Sequence, residues 1–151
     1  MTNMRHYALA AVVITLILAG CGCKTSKRSV SDEHYPLVGT QWNLVKLDGV
    51  EIGADFALRP FITFDTADNV QGNLGCNTFF GTYSANKKHK MTLEFQGATK
   101  RLCQNMGVER KFMQALKRDI TRYEIVGEEL ILFEGEQEVM RFTGVDLSKV
   151  E

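Results

Sequence analysis

The chain has 151 residues, 44% of them hydrophobic, and its 18 basic side chains balance its 18 acidic ones. That length suits one domain with a packed core. The charge balance provides no field for steering the chain to nucleic acid, so a nucleic-acid partner is excluded.

The first element is a leader. Arg5 and His6 precede an uncharged block of twelve residues, 8–19. As a helix this block would reach about 18 Å, short of the roughly 20 residues that a membrane span needs, so it has the size of a signal-peptide core. It ends in Leu18-Ala19-Gly20-Cys21, which resembles a bacterial lipobox. The resemblance implies cleavage before Cys21, acyl chains on that residue, and stable membrane anchoring at about 0.8 kcal/mol for each buried CH₂. Cys21 is therefore the expected lipid attachment site. Removing residues 1–20 takes away Arg5 alone among the charges and leaves 17 basic against 18 acidic residues. Residues 21–35 are polar and aperiodic and read as a flexible tether, with an r.m.s. reach of about 20 Å.

From residue 36 to 145 the pattern is that of one domain. Trp42, Leu44 and Leu47 mark a first strand closed by Asp48-Gly49, and 60–64 a second. Residues 70–74 and 78–83 form one bent strand or two, because Gly72 and Gly75 suggest a bulge or a close backbone approach. A turn at 84–90 leads into a strand over 91–95. Val108, Phe112, Ala115, Leu116 and Ile120 then predict one amphipathic helix over 107–120, with Glu109, Arg110, Lys111, Lys117 and Arg118 mostly on its polar face. Three more strands follow, over 123–126, 130–133 and 139–143, joined by Gly127-Glu128 and Gly135-Glu136 as tight hairpin turns. Without alternating strand and helix units a parallel sheet does not fit. The expected fold is mainly β, a single curved antiparallel sheet or half-open barrel carrying one helix.

The chemistry in this pattern is sparse. His34 lies in the tether and His89 in a turn, so neither stands on a rigid element as a catalytic base would. Zinc needs about four Cys or His ligands, and the folded part offers only Cys76 and Cys103. No phosphate loop is present, since "GNLGCN" lacks the lysine and the helix that such a loop requires. The expectation is a chain that is not an enzyme and takes no cofactor and no metal. Cys76 and Cys103 are the only cysteines outside the leader and tether, and an exported domain meets an oxidising compartment. They are thus expected either to pair in a disulfide or to pack as two small buried thiols. If they pair, Asn77 serves the same corner as a structural residue.

Taken together, Trp42, Asp48-Gly49, residues 60–64, the run Gly75-Cys76-Asn77 with Phe79, Gly81 and Tyr83, then Thr99, Cys103, Glu109 and Phe112, resemble the META domain family, also called HslJ-like, over residues 37–142. The family motif falls on Trp42, Gly75, Cys76, Asn77, Thr99 and Cys103. Gln104 departs from it, since proline often follows the second cysteine. The resemblance implies a small curved β domain with one helix, often a bacterial envelope lipoprotein. Family members are linked to heat stress, novobiocin resistance and, in some pathogens, motility or secretion, and no enzymatic reaction is implied. A likeness of the family to secretion pilotins, which hold an acyl chain or a partner tail, suggests binding.

Two functional readings follow. The first is a noncatalytic envelope module in the periplasm, anchored to the outer membrane rather than the inner, that binds a protein or lipid partner or supports envelope stress or antibiotic tolerance. The second is a thiol-active redox sensor that uses Cys76 or Cys103. The aromatic set Trp42, Phe61, Phe64, Phe79, Phe80, Tyr83 and Phe95 reads as core packing in preference to a ligand pocket.

Overall fold

A computed structural model describes residues 34–53, 58–104 and 106–145; the leader, Cys21 and most of the tether lie outside them. In chain order the elements are β1 (Gln41–Leu47), β2 (Val50–Glu51), β3 (Phe61–Phe64), β4 (Asn69–Asn73), β5 (Thr78–Ala85), β6 (Met91–Ala98), α1 (Gly107–Ala115), β7 (Arg122–Val126), β8 (Glu129–Glu134) and β9 (Gln137–Val145). All strand pairs are antiparallel, in the order β6-β5-β4-β3-β1-β9-β8-β7, with β2 paired to β1.

The sheet curls until its two edges touch at one point. Lys90 bridges Arg122, Met91 N–H donates to the Thr121 carbonyl (3.1 Å), and Tyr123 N–H donates to the His89 carbonyl (2.9 Å). Because this contact lies at the start of both β6 and β7, and the two run antiparallel, they lead away from it in opposite directions. The result is a half-barrel with an open seam, and α1 covers part of the interior. Phe112 fits between Phe79 and Phe142, with ring centroids 6.2 and 6.1 Å apart. With Trp42, Leu44, Ile62, Leu74, Leu116, Ile120 and Leu132 it forms the fully buried core. The Trp42 indole N–H is satisfied by the Leu37 carbonyl at 3.0 Å.

The turns follow from backbone conformations that the sequence announces. Asp48 and Gly49 both have positive φ (48° and 77°), as a two-residue hairpin between Leu47 and Val50 requires. The stretch 70–83 resolves into two strands joined by a tight corner at residues 74–77. Gly72 is needed for a different reason: a Cβ there would fall on the Phe61 carbonyl of β3 and against the Phe79 ring. Gly72→Ala should therefore push β3 from β4 and cost about 1–3 kcal/mol, read as a lower urea midpoint at unchanged slope.

Three expectations are corrected. The helix ends at Ala115, and residues 116–118 form a turn in which Lys117 and Arg118 N–H groups reach back only three residues, to the Gln114 and Ala115 carbonyls. Ile120 is buried because the chain re-enters the core there, not because it belongs to the helix. Phe80 is not core: it is 57% exposed on the outer face of β5, where its ring covers Gly97 of β6. Glu109 leaves the polar face of the helix and is buried.

Candidate functional site

The corner between β4 and β5 gathers most of the motif. Gly75 N–H donates to Asn73 Oδ1 (2.7 Å), Leu74 N–H donates to the Asn77 carbonyl (2.7 Å), and Gly75 takes φ = 115°, a conformation that favours glycine. This geometry turns the N–H groups of Cys76 and Asn77 toward α1, where Glu109 Oε2 accepts both, at 3.1 and 2.9 Å. Glu109 Oε1 accepts from the Asn77 side-chain amide at 2.7 Å. As an acidic residue in the first turn of α1, Glu109 also complements the positive end of the helix.

Asn77 completes a knot with the loop that follows β6. Its Nδ2 also donates to the Arg101 carbonyl (3.0 Å), and its Oδ1 accepts from Thr99 Oγ1 (2.8 Å) and from Arg101 N–H (2.7 Å). Thr78 N–H donates to Thr99 Oγ1 at 3.2 Å, and Thr99 N–H returns a bond to the Thr78 carbonyl at 3.0 Å. Cys76 and Cys103 are joined in a disulfide with their Cα atoms 6.3 Å apart. Gly75, Cys76, Asn77, Thr99 and Cys103 thus meet at one corner. Trp42 stands apart from these bonds, in the core. Glu109, which sequence reasoning placed in solvent, is the carboxylate that ties the corner to the helix. Its spacing to Phe112 and Leu116, three and seven residues on, could have placed it on the buried face.

Chemically the corner is occupied. Its sulfurs are bonded to each other, its carboxylate accepts three N–H bonds, and among the described residues no buried side-chain polar atom lacks a partner. The groups whose titration the fold shifts lie elsewhere. Hydrogen bonds from Asn69 hold Asp65 below the usual carboxylate range, those from Arg118 and Arg141 do the same for Glu134 and Glu138, and burial raises Tyr83. Among the described residues no group of three or more His, Cys, Asp or Glu is placed to hold a metal ion.

Beside the knot, between the end of β6, the loop after it and α1, opens a cleft of about 500 Å³. Leu74, Phe95, Met106 and Met113 form apolar walls, and Lys100, Arg101 and Lys117 also line it. The Lys117 ammonium sits 4.9 Å from the centroid of the Phe95 ring. Leu102, 95% exposed, extends the apolar surface on the same loop.

The family model described as META domain matches residues 35–146, which include every element of the sheet and the helix. The chain belongs to the META domain family. No curated protein matches it. Three solved structures share the fold of this META domain. An NMR structure of a protein from Burkholderia xenovorans is 20% identical, with a TM-score of 0.55, and the match covers 95% of this chain and 99% of that one. A crystal structure of a DUF4847 family protein from Bacteroides vulgatus is 18% identical with a TM-score of 0.52, covering 71% and 93%. A further NMR structure is 19% identical with a TM-score of 0.52, covering 70% and 89%. At these identities the likeness concerns the fold alone.

Proposed function

We propose that this META domain is a noncatalytic binding module of the bacterial envelope, anchored through acyl chains on Cys21, with its domain in the periplasm at the outer membrane. Its working site is the cleft beside the disulfide corner, which takes an apolar segment of a lipid or protein partner and so supports the envelope under stress or antibiotic exposure. The observation that carries this reading is the pairing of an open apolar cleft with a neighbouring corner whose polar and sulfur groups are all engaged in holding structure. A rigid corner fixes the cleft wall at little entropic cost to a ligand.

Cleft binding is tested with a photoactivatable long-chain fatty alcohol, applied to the full chain in phosphatidylcholine nanodiscs. The adduct should map to the peptides that contain Met106 and Met113. Met113→Glu, which places a charge on the half-buried wall, should remove it at least several-fold. Labelling of α1 that is unchanged by Met113→Glu in a folded variant would overturn the cleft as the site. The anchor has its own test. Cys21→Ser should abolish incorporation of a fatty-acid analogue in growing cells and leave the chain unprocessed or released from the membrane, and incorporation that survives the substitution would refute lipidation at Cys21.

A further inference from the structure

We propose that the occupant of the cleft is a single-chain anionic amphiphile, a long-chain fatty acid held by its carboxylate at the mouth with its chain along the apolar walls. The inference rests on the binding reading above and adds the chemistry of the ligand.

The charge pattern is the first argument. Arg118, Arg122 and Arg141 all face carboxylates, on Asp48 and Glu134, on Glu124 and Glu136, and on Glu129 and Glu138 respectively. Among the described residues no carboxylate pairs with Lys100, Arg101 or Lys117. Among the described residues Arg59, Lys87, Lys88, Lys90, Arg110 and Lys111 have no carboxylate partner either, so what sets Lys100, Arg101 and Lys117 apart is that all three line one small cleft. The only carboxylate in the lining is Glu109, and its oxygens are committed to the N–H groups of Cys76 and Asn77 and to the Asn77 amide. Its negative charge repels a bound anion from the knot and leaves the lysines and Arg101 as the place for the head group. A guanidinium can bind a carboxylate through two parallel N–H bonds, and flanking ammonium groups add attraction without fixing orientation.

The apolar surface is the second argument. Lys117 carries its charge directly over the Phe95 ring, so a cation and an apolar wall adjoin within one side-chain length, matching a ligand whose polar head adjoins a hydrocarbon chain. Met106 and Met113 are unbranched and conform to a flexible chain. A cleft of about 500 Å³ lies toward the lower end of the roughly 300–1,000 Å³ typical of small-molecule sites. That size suits one acyl chain in preference to the two of a phospholipid. A peptide tail added to the β6 edge would be gripped chiefly by its main chain and would call on the cations only through a terminal carboxylate or acidic side chains.

The test compares two photoactivatable probes of equal chain length, a fatty acid and the corresponding fatty alcohol, on the full chain in phosphatidylcholine nanodiscs at mildly alkaline pH. The carboxylate should mark the Met106 and Met113 peptides about five- to tenfold more than the alcohol, the sum of three exposed cation contacts. In the triple variant Lys100→Ala, Arg101→Ala, Lys117→Ala, whose changes are confined to exposed side chains, that preference should fall to about one while labelling by the alcohol persists. Equal marking of α1 by acid and alcohol, or a preference that survives the triple variant, overturns the anionic ligand and leaves the binding module standing. Failure of both probes to mark α1 overturns both. A photoactivatable apolar peptide that marks α1 more strongly than the fatty acid also overturns the proposal and assigns the cleft to a protein tail.

Discussion

Glu109→Ala should destabilise the domain by roughly 3–5 kcal/mol, a large part of the 5–15 kcal/mol that folds of this size possess. The residue is only 6% exposed, so water has little access to the groups that its truncation would leave behind. Its removal orphans the N–H groups of Cys76 and Asn77 at a corner where the chain has no freedom to turn them outward, because Gly75 and the Leu74–Asn77 bond fix the turn. It also takes one of the two oxygen acceptors from the Asn77 amide. An unmet buried donor costs about 1–3 kcal/mol, so two such donors reach the stated range without any term for packing. Glu109→Gln should fall between wild type and alanine, since it keeps one oxygen as an acceptor but turns an NH₂ group toward donors. Urea unfolding followed by tryptophan fluorescence measures these differences through Trp42, the chain's only tryptophan. A loss of less than about 1 kcal/mol for the alanine variant, comparable to that of an exposed glutamate such as Glu128, would mean that the knot contributes little.

How legible this arrangement was depended on whether its cause was local. Asp48-Gly49, Gly127 and Gly135 betrayed their turns because positive φ is a property of one residue and its side chain, and all four positions adopt it. The strand assignments followed from alternation, which reports one buried face. The length of β6 was less visible, because the register shifts at Gln96, and Gly97 and Ala98, which pair with Phe80 and Phe79 of β5, carry no alternating signal. Phe80 itself was misread as core because a strand pattern shows which residues share a face and not which face is covered. The end of α1 was hidden by Ile120, whose burial continues the helical spacing by coincidence of position. Within the site, Cys76, Cys103 and Asn77 were reached through the cysteine count and the expected compartment, Gly75 through its place in a strand run and Thr99 through family resemblance, and the reason for their association is tertiary. Asn77 bonds across 22 to 32 residues to Thr99, Arg101 and Glu109, a relation that no window of sequence contains. The mouth of the cleft was invisible for the same reason, since Lys100 and Lys117 come from opposite ends of the loop-and-helix segment.

Loss of the Cys76–Cys103 bond should cost about 3–4 kcal/mol and lower the melting temperature by roughly 15 °C, whether the bond is broken by reduction or by the double change Cys76→Ala, Cys103→Ala. The bond closes a loop with a sequence separation of 27 residues, and in the chain-entropy account the penalty arises because the unlinked chain regains freedom when unfolded. In the native state Asn77 still holds Thr99 and Arg101 after reduction, so the fold should persist at room temperature with the β-rich spectrum unchanged. Among the described residues, Leu102, Cys103 and Gln104 have no such tether, and Leu102 and Cys103 are exposed. The loop should therefore loosen between Arg101 and α1, and that segment walls the cleft. The expected signature is a pair of effects: a fall in stability, and reduced labelling of the Met113 peptide by the alcohol probe even though Met113 is intact. Exposure of Cys103 lets an external thiolate reach the bond in the folded protein, so both effects should develop without denaturant. If the reduced protein melted within about 3 °C of the oxidised form, the two cysteines would be acting as packing residues, and the corner would owe its stability to Asn77 and Glu109 alone. If stability fell while labelling of Met113 stayed constant, the disulfide would hold the fold without shaping the cleft, and the loop's contribution to ligand binding would be confined to Lys100 and Arg101.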